Sequence, residues 1–255
     1  MGAQPLLVGI AGGSGSGKTY FAQQIADALG SENADVLSMD QYFLTPVDGM
    51  DRRDINFDHP AHLDLALLIE HLTKLRRGET VLTPKYNFAT MSRLDGESPK
   101  GGKPVTIVEG LFVLASPFSL MLDILIFLDV DADQRLLGRI LRDVRERGAT
   151  TEELVDRYQR FVRPSYNVFV EPTKQNADLV ADFTFRRILL TELVTGMLHD
   201  YISGRLDVTA FKERMRAECQ HLGFTPRDGS MPVTVDLFEL SKIFPESVST
   251  EVSMQ

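Results

Sequence analysis

One stretch near the amino terminus limits what this chain can fold into more than any other. Residues 6–29 read LLVGIAGGSGSGKTYFAQQIADAL. Leu6, Leu7, Val8 and Ile10 form a short branched, apolar run of the kind a buried strand uses. Gly12-Gly13-Ser14-Gly15-Ser16-Gly17-Lys18-Thr19 follows and fits G-x-x-x-x-G-K-[ST]. Phe21, Ile25 and Leu29 then recur every fourth residue, as on one helical face. Four glycines in six positions let the backbone turn its N–H groups inward, close to a phosphate chain. A helix beginning near Gly17 adds the positive end of its dipole. This strand–loop–helix context predicts that Lys18 reaches the β- and γ-phosphates of a nucleotide and that the Thr19 hydroxyl ligates Mg²⁺. ATPases, GTPase switches and kinases all carry such a cradle, so the rest of the chain has to choose among them.

Composition narrows the choice. The 255 residues hold 36 acidic and 27 basic side chains, a formal charge of −9. A surface built for nucleic acid needs the opposite balance, so no nucleic-acid partner is expected. A small anionic ligand needs only local positive charge. Cys219 is the one cysteine, which leaves no disulfide framework and points to a reduced compartment. The first residues, MGAQPLL, lack the charged and apolar regions of a signal peptide. The uncharged apolar stretch Gly110–Leu122 is too short to span a bilayer as a helix. The expectation is a cytoplasmic protein with no membrane partner.

Along the chain, residues 36–40 (VLSMD), 105–110 (VTIVEG) and 123–129 (DILIFLD) read as strands, two of them closing on an acid at the ligand end. A plausible fifth strand covers 178–181. Helices are expected over 63–77, 132–147, 188–202 and 208–222, with Thr151 capping another that carries Leu154, Tyr158 and Phe161 inward. Almost wholly apolar strands alternating with helices predict an α/β fold: a doubly wound, mainly parallel sheet with helices on both faces. Ligands bind beyond the carboxyl ends of such strands, where Gly12, Asp40 and Glu109 converge. Residues 40–60 read as an ordered substrate-side loop, 82–88 as extended, and 92–104 (SRLDGESPKGGKP) as a turn-rich loop. The helix over 132–147 has two sides. Leu136, Leu137, Ile140, Leu141 and Val144 make the apolar one, while Arg135, Arg139 and Arg142 fall on a strip opposite. That strip is either a solvated charged face or a set of forks for phosphoryl oxygens. One domain is expected over residues 1–222, with a helical lid at about 132–175 and a loosely structured extension over 223–255.

Seven blocks in order resemble the uridine kinase and phosphoribulokinase group of P-loop kinases, over roughly residues 5–185. They are GGSGSGKT, SMDQYF, NFDHPAHLD, PKYNFATMSR, VTIVEG, DADQRLLGRILRDVRERG and EPTKQNADLV. The resemblance implies an ATP-dependent, Mg²⁺-requiring kinase of a small hydroxylated molecule. Gly12 to Thr19, with Lys18, would hold ATP. Asp40 would orient or deprotonate the acceptor hydroxyl, and Thr19, Glu109 and Asp40 would surround Mg²⁺. Asp58 would bind ribose hydroxyls, Tyr86 would contact the acceptor, and Arg139 and Arg142 would reach over the triphosphate from the lid. Relatives of this kind often assemble as homo-oligomers, which extends the same expectation here. His59 and His62 read as loop-ordering residues, since no third ligand has metal-binding spacing.

Departures from the group fall on the acceptor side. Met91 stands where uridine kinases carry a histidine that contacts the pyrimidine. Arg157 stands for a glutamine, Phe43 for a tyrosine, Asn87 for an aspartate, and Ala149 for an arginine. A thioether cannot donate the hydrogen bond an imidazole can. A nucleoside such as uridine or cytidine is the leading acceptor. Ribulose 5-phosphate-, pantothenate- or glycerate-like acceptors, an acceptor-independent ATPase or switch, and a weakened binding homologue are the alternatives.

Overall fold

The structure, a computed structural model, describes residues 4–46, 54–184 and 186–221. The extension expected over 223–255 and part of the 40–60 loop lie outside the described residues. In chain order the elements are β1 (Leu6–Gly12), α1 (Lys18–Leu29), β2 (Ala34–Ser38), α2 (Leu65–Arg76), β3 (Val81–Asn87), β4 (Ser92–Lys100), β5 (Val105–Glu109) and β6 (Ile124–Asp129). After them come α3 (Ala132–Arg147), α4 (Thr151–Arg157), α5 (Arg163–Ser165), β7 (Leu179–Asp182), α6 (Arg187–Ile202) and α7 (Val208–His221).

Five strands form one sheet in the order β2-β5-β1-β6-β7, and every adjacent pair is parallel. The alternation along β1 explains why both faces are covered. Leu7 and Ala11 join a core with α2 and with Phe112, Phe118 and Phe169. Leu6, Val8 and Ile10 join a second core with α1, α6 and the start of α7. Each fully buried aliphatic side chain contributes about 1.5–3 kcal/mol, so a central strand apolar on both faces favours the double layer. The register pairs Ile10 with Glu109 and Ser38 with Glu109. The carboxyl ends of β1, β2 and β5 therefore lie side by side.

Two local expectations need correction. The stretch read as a loop over 92–104 contains β4, antiparallel to β3 in a two-stranded ribbon. No described side chain of β4 is buried, so the strand carries no apolar alternation to reveal it. The cap of α4 is Thr150 rather than Thr151, in a reciprocal capping box with Glu153. Of the two readings left open for α3, the structure turns the arginine strip inward, with Leu136 and Ile140 half-buried beside it. Arg135, Arg139 and Asp143 are buried, whereas Leu137 and Leu141 are each 54% exposed and Val144 is exposed as well. The inward face is set by polar partners on the glycine loop and the loop that carries Asp58, which outweigh the apolar stripe.

Candidate active site

The glycine loop between β1 and α1 has the backbone its sequence demands. Gly15 and Gly17 take φ of 86° and 88°, the left-handed region that only glycine enters without strain. Space is short as well. A Cβ on Gly15 would lie 2.2 Å from the Arg135 carbonyl oxygen, because α3 rests directly on the loop. Buried Ser16 Oγ finds no protein partner among the described residues, which suits a loop that receives an oxyanion.

Lys18 heads α1, is buried, and donates from Nζ to the Gly13 carbonyl at 3.0 Å. Burial lowers its pKa, and Glu109 and Asp40 oppose that shift. Glu109 closes β5 and is 2% exposed. Burial and then the charge of Asp40 push its carboxyl above the usual range, against the pull of Lys18. Its Oε1 accepts from Ser38 Oγ at 2.5 Å and from Thr19 Oγ1 at 3.2 Å. Ser38 Oγ in turn accepts the Asp40 backbone N–H at 3.4 Å, starting a 3₁₀ turn over Met39–Tyr42 that carries Asp40 past the strand end. Thr19, Ser38, Asp40 and Glu109 thus gather hard oxygen donors of the kind Mg²⁺ takes.

Across the cleft, Arg139 of α3 donates from Nη1 to Ser14 Oγ at 2.7 Å and to both carboxylate oxygens of Asp58, at 3.2 and 3.3 Å. Both partners of this pair are buried. Arg142 bonds from Nε to Asp143 at 2.8 Å. Burial works against its charged form, but the Asp143 bond and charge prevail and raise its pKa. The third arginine of the strip does something else. Arg135 donates to the Val130 carbonyl at 2.9 Å, and its guanidinium carbon lies 3.8 Å from the centre of the Tyr166 ring.

One cavity of about 70 Å³ joins these groups. Ser14, Gly15, Lys18 and Thr19 line one side. Asp40, Asp58 and Glu109 supply carboxylates, Arg139 and Arg142 the cationic wall, and Phe43, Phe57, Phe88 and Leu111 the apolar wall. Phe43 is the hub of that wall, with Phe57 at 5.5 Å, Tyr86 at 5.4 Å and Phe88 at 5.6 Å. Arg93 fastens the β3–β4 ribbon to it through the carbonyls of Tyr42 and Phe43 and the carboxylate of Asp64.

Not every residue singled out from the sequence reaches the cavity. Tyr86 packs behind Phe43 and Phe88. Met91 turns the tip of the ribbon with φ 53° and is absent from the lining. Arg157 is absent as well. Its Nη2 binds the Ile55 carbonyl at 3.0 Å and its guanidinium lies 5.8 Å from the Phe57 ring, so it braces the loop that carries Asp58. His59 Nδ1 accepts from Ala61 N at 3.1 Å, and His62 stacks on Phe57. Sequence reasoning missed Ser38, Phe57, Phe88 and Arg93. The serine had a signal, since it ends a strand two residues before Asp40.

The parallel sheet, the glycine loop at its edge and the helix resting on that loop define a P-loop kinase fold. The chain belongs to the phosphoribulokinase/uridine kinase family, whose model matches residues 7–187. A uridine kinase of Geobacillus sp. (strain WCH70) is 41% identical over 183 residues, spanning 71% of this chain and 87% of that protein. A uridine kinase of Geobacillus kaustophilus is 37% identical over 201 residues, 78% of this chain and 95% of the relative. Among solved structures, phosphoribulokinase from Rhodobacter spheroides shares the fold with a TM-score of 0.55 at 18% identity, covering 72% of this chain and 74% of that one.

Proposed function

We propose that the protein is an ATP-dependent kinase that moves the γ-phosphoryl group to a hydroxyl of a nucleoside, uridine or cytidine being the leading acceptors. The observation that carries this reading is the shared cavity: Lys18 and Asp40 line one space, with the bonded Asp58–Arg139 pair in its wall. The uridine kinases at 41% and 37% identity support the same acceptor class.

Phosphoryl transfer asks mainly for positioning and for stabilisation of spread negative charge. The loop amides, Ser16 and Lys18 hold the phosphate chain. Arg139 and Arg142 neutralise charge on the transferring group from the lid. Asp58 accepts hydrogen bonds from ribose hydroxyls, and the Phe43, Phe57 and Phe88 wall takes the flat base. Asp40 accepts the proton of the attacking hydroxyl, which then closes on phosphorus as the bond to the leaving ADP oxygen breaks. Thr19, Ser38, Asp40 and Glu109 suit Mg²⁺, which when bound supplies positive charge at the phosphate oxygens.

The test is ADP release from ATP with uridine, cytidine, ribulose 5-phosphate, pantothenate or glycerate as acceptor. Turnover with a pyrimidine nucleoside is expected, and Asp40→Asn abolishes it while sparing ATP binding. Turnover only with a sugar phosphate, pantothenate or glycerate replaces the nucleoside reading. Acceptor-independent hydrolysis, or no turnover by a folded, ATP-binding preparation, overturns the kinase reading.

A further inference from the structure

The two lid arginines share one carboxylate, and nothing in the reaction just described uses it. Asp143 lies one turn beyond Arg139 and next to Arg142 on α3, and it is 3% exposed. Its Oδ1 accepts Arg142 Nε at 2.8 Å, and its Oδ2 lies 3.4 Å from Arg139 Nε. One oxygen thus serves each guanidinium, and each is held by its inner nitrogen. Both arginines line the cavity, where Arg139 Nη1 already meets Ser14 and Asp58.

An ordinary i,i+4 pair on a helix surface is solvated and contributes a few tenths of a kcal/mol. This one is enclosed on both sides, with side-chain exposures of 8% for Arg139 and 4% for Asp143. A buried carboxylate is costly unless paired, and each oxygen of Asp143 faces a guanidinium nitrogen. Nor does the side chain close the helix. The C-terminal cap of α3 is made by the backbone oxygen of Asp143, which accepts Ala149 N at 3.2 Å and the Gly148 N–H. Side-chain substitution leaves that cap in place.

We propose that Asp143 is a positioning residue that fixes both lid arginines by Nε, so that their outer N–H groups stay aimed at the phosphoryl group being transferred. This rests on the kinase reading above. When a triphosphate enters, Arg139 Nη1 exchanges Asp58 for a phosphate oxygen while Asp143 keeps its hold on both arginines, and the forks need not be reordered during the reaction. The division of labour follows from arginine's geometry, because the planar fork offers one inner and two outer nitrogens in fixed directions.

The experiment compares wild type, Asp143→Asn and Asp143→Ala, each also in an Arg142→Gln background. Asparagine keeps one acceptor oxygen, so kcat should fall roughly tenfold, and roughly a hundredfold in the alanine variant. Equilibrium binding should lose affinity for ATP while affinity for adenosine stays level, a split that a loss of general stability does not produce. In the Arg142→Gln background the Asp143→Asn change should cost clearly less than in wild type, because part of what it positions is gone. Should the alanine variant fail to fold, the asparagine variant and its cycle still decide. The proposal is overturned by an Asp143→Asn enzyme within twofold of wild-type kcat, or by full additivity with Arg142→Gln. A wild-type enzyme that turns over no acceptor sinks the kinase reading instead, and the two failures are distinct.

Discussion

Arg139 and Asp58 form a buried ion pair at 3.2 Å that ties α3 to the loop before α2. The same Nη1 holds Ser14 of the phosphate loop. The group proposed to bind ribose is therefore occupied by a group proposed to bind phosphate. The joined cavity of about 70 Å³ is well below the several hundred that small-molecule sites usually offer. A triphosphate competes for Arg139 and, on drawing it away, frees the Asp58 carboxylate for hydroxyls. Binding of the two substrates should then be coupled, with reciprocal effects on affinity. We expect saturating β,γ-imido-ATP with Mg²⁺ to raise uridine affinity about fivefold or more by calorimetry. Arg139→Gln should remove most of that coupling. Equal uridine affinity with and without the analogue would dismiss the exchange.

Ser38 is a second joint. It donates to Glu109 and accepts from the backbone of Asp40, so one hydroxyl sets how two carboxylates face each other. Ser38→Ala removes that hydrogen bond to a buried acid. Groups that orient metal ligands typically matter ten- to a hundredfold in metal affinity. The expected outcome is a rise of about tenfold in the Mg²⁺ needed for half-maximal turnover, matched by weaker Mn²⁺ binding in electron paramagnetic resonance. An unchanged metal titration would remove Ser38 from this role.

The inward arginine strip of α3 makes its own prediction. Leu141 is 54% exposed, so Leu141→Lys should shift stability by no more than about 0.5 kcal/mol in urea unfolding. Arg135→Leu keeps an apolar body but loses the stack on Tyr166 and the bond to Val130, and the buried polar groups it leaves unpaired cost about 1–3 kcal/mol. The opposite ranking would restore the apolar side as the packed one.

What the chain reveals in one dimension follows from how far each determinant reaches. Gly12 to Thr19 is a local device, so its spacing alone announces it. The apolar runs of β1, β5 and β6 are equally local, and the doubly wound sheet follows from them. The orientation of α3 is not local. It depends on Arg139 meeting Asp58, 81 residues away, and Ser14, 125 residues away. Periodicity gives the two faces of that helix, but only the partners decide which one turns inward. β4 was hidden for a related reason, since its register is held by β3 and by Arg93 rather than by a buried stripe. Met91 is the converse case: the block that contains it is legible, yet Met91 sits at the ribbon turn and is not in the cavity lining.

A last prediction concerns acid. His62 is buried against Phe57, and burial, helped by neighbouring His59, lowers its pKa from 6.5 to about 4. His71, whose Nδ1 meets the Tyr42 hydroxyl at 2.8 Å, is lowered as well, again chiefly by burial. The folded state thus prefers both rings neutral, whereas the unfolded chain protonates them near the ordinary value. Stability from this source is fully present above about pH 6.5 and is lost as pH falls through the folded value near 4. A tenfold difference in proton affinity between the folded and unfolded chain is worth about 1.4 kcal/mol, so His62 alone accounts for about 3 kcal/mol across that window. Urea unfolding between pH 7 and pH 4.5 should show this decline, and His62→Gln should flatten it while lowering stability at pH 7. An identical slope in wild type and variant would assign the acid sensitivity to other groups.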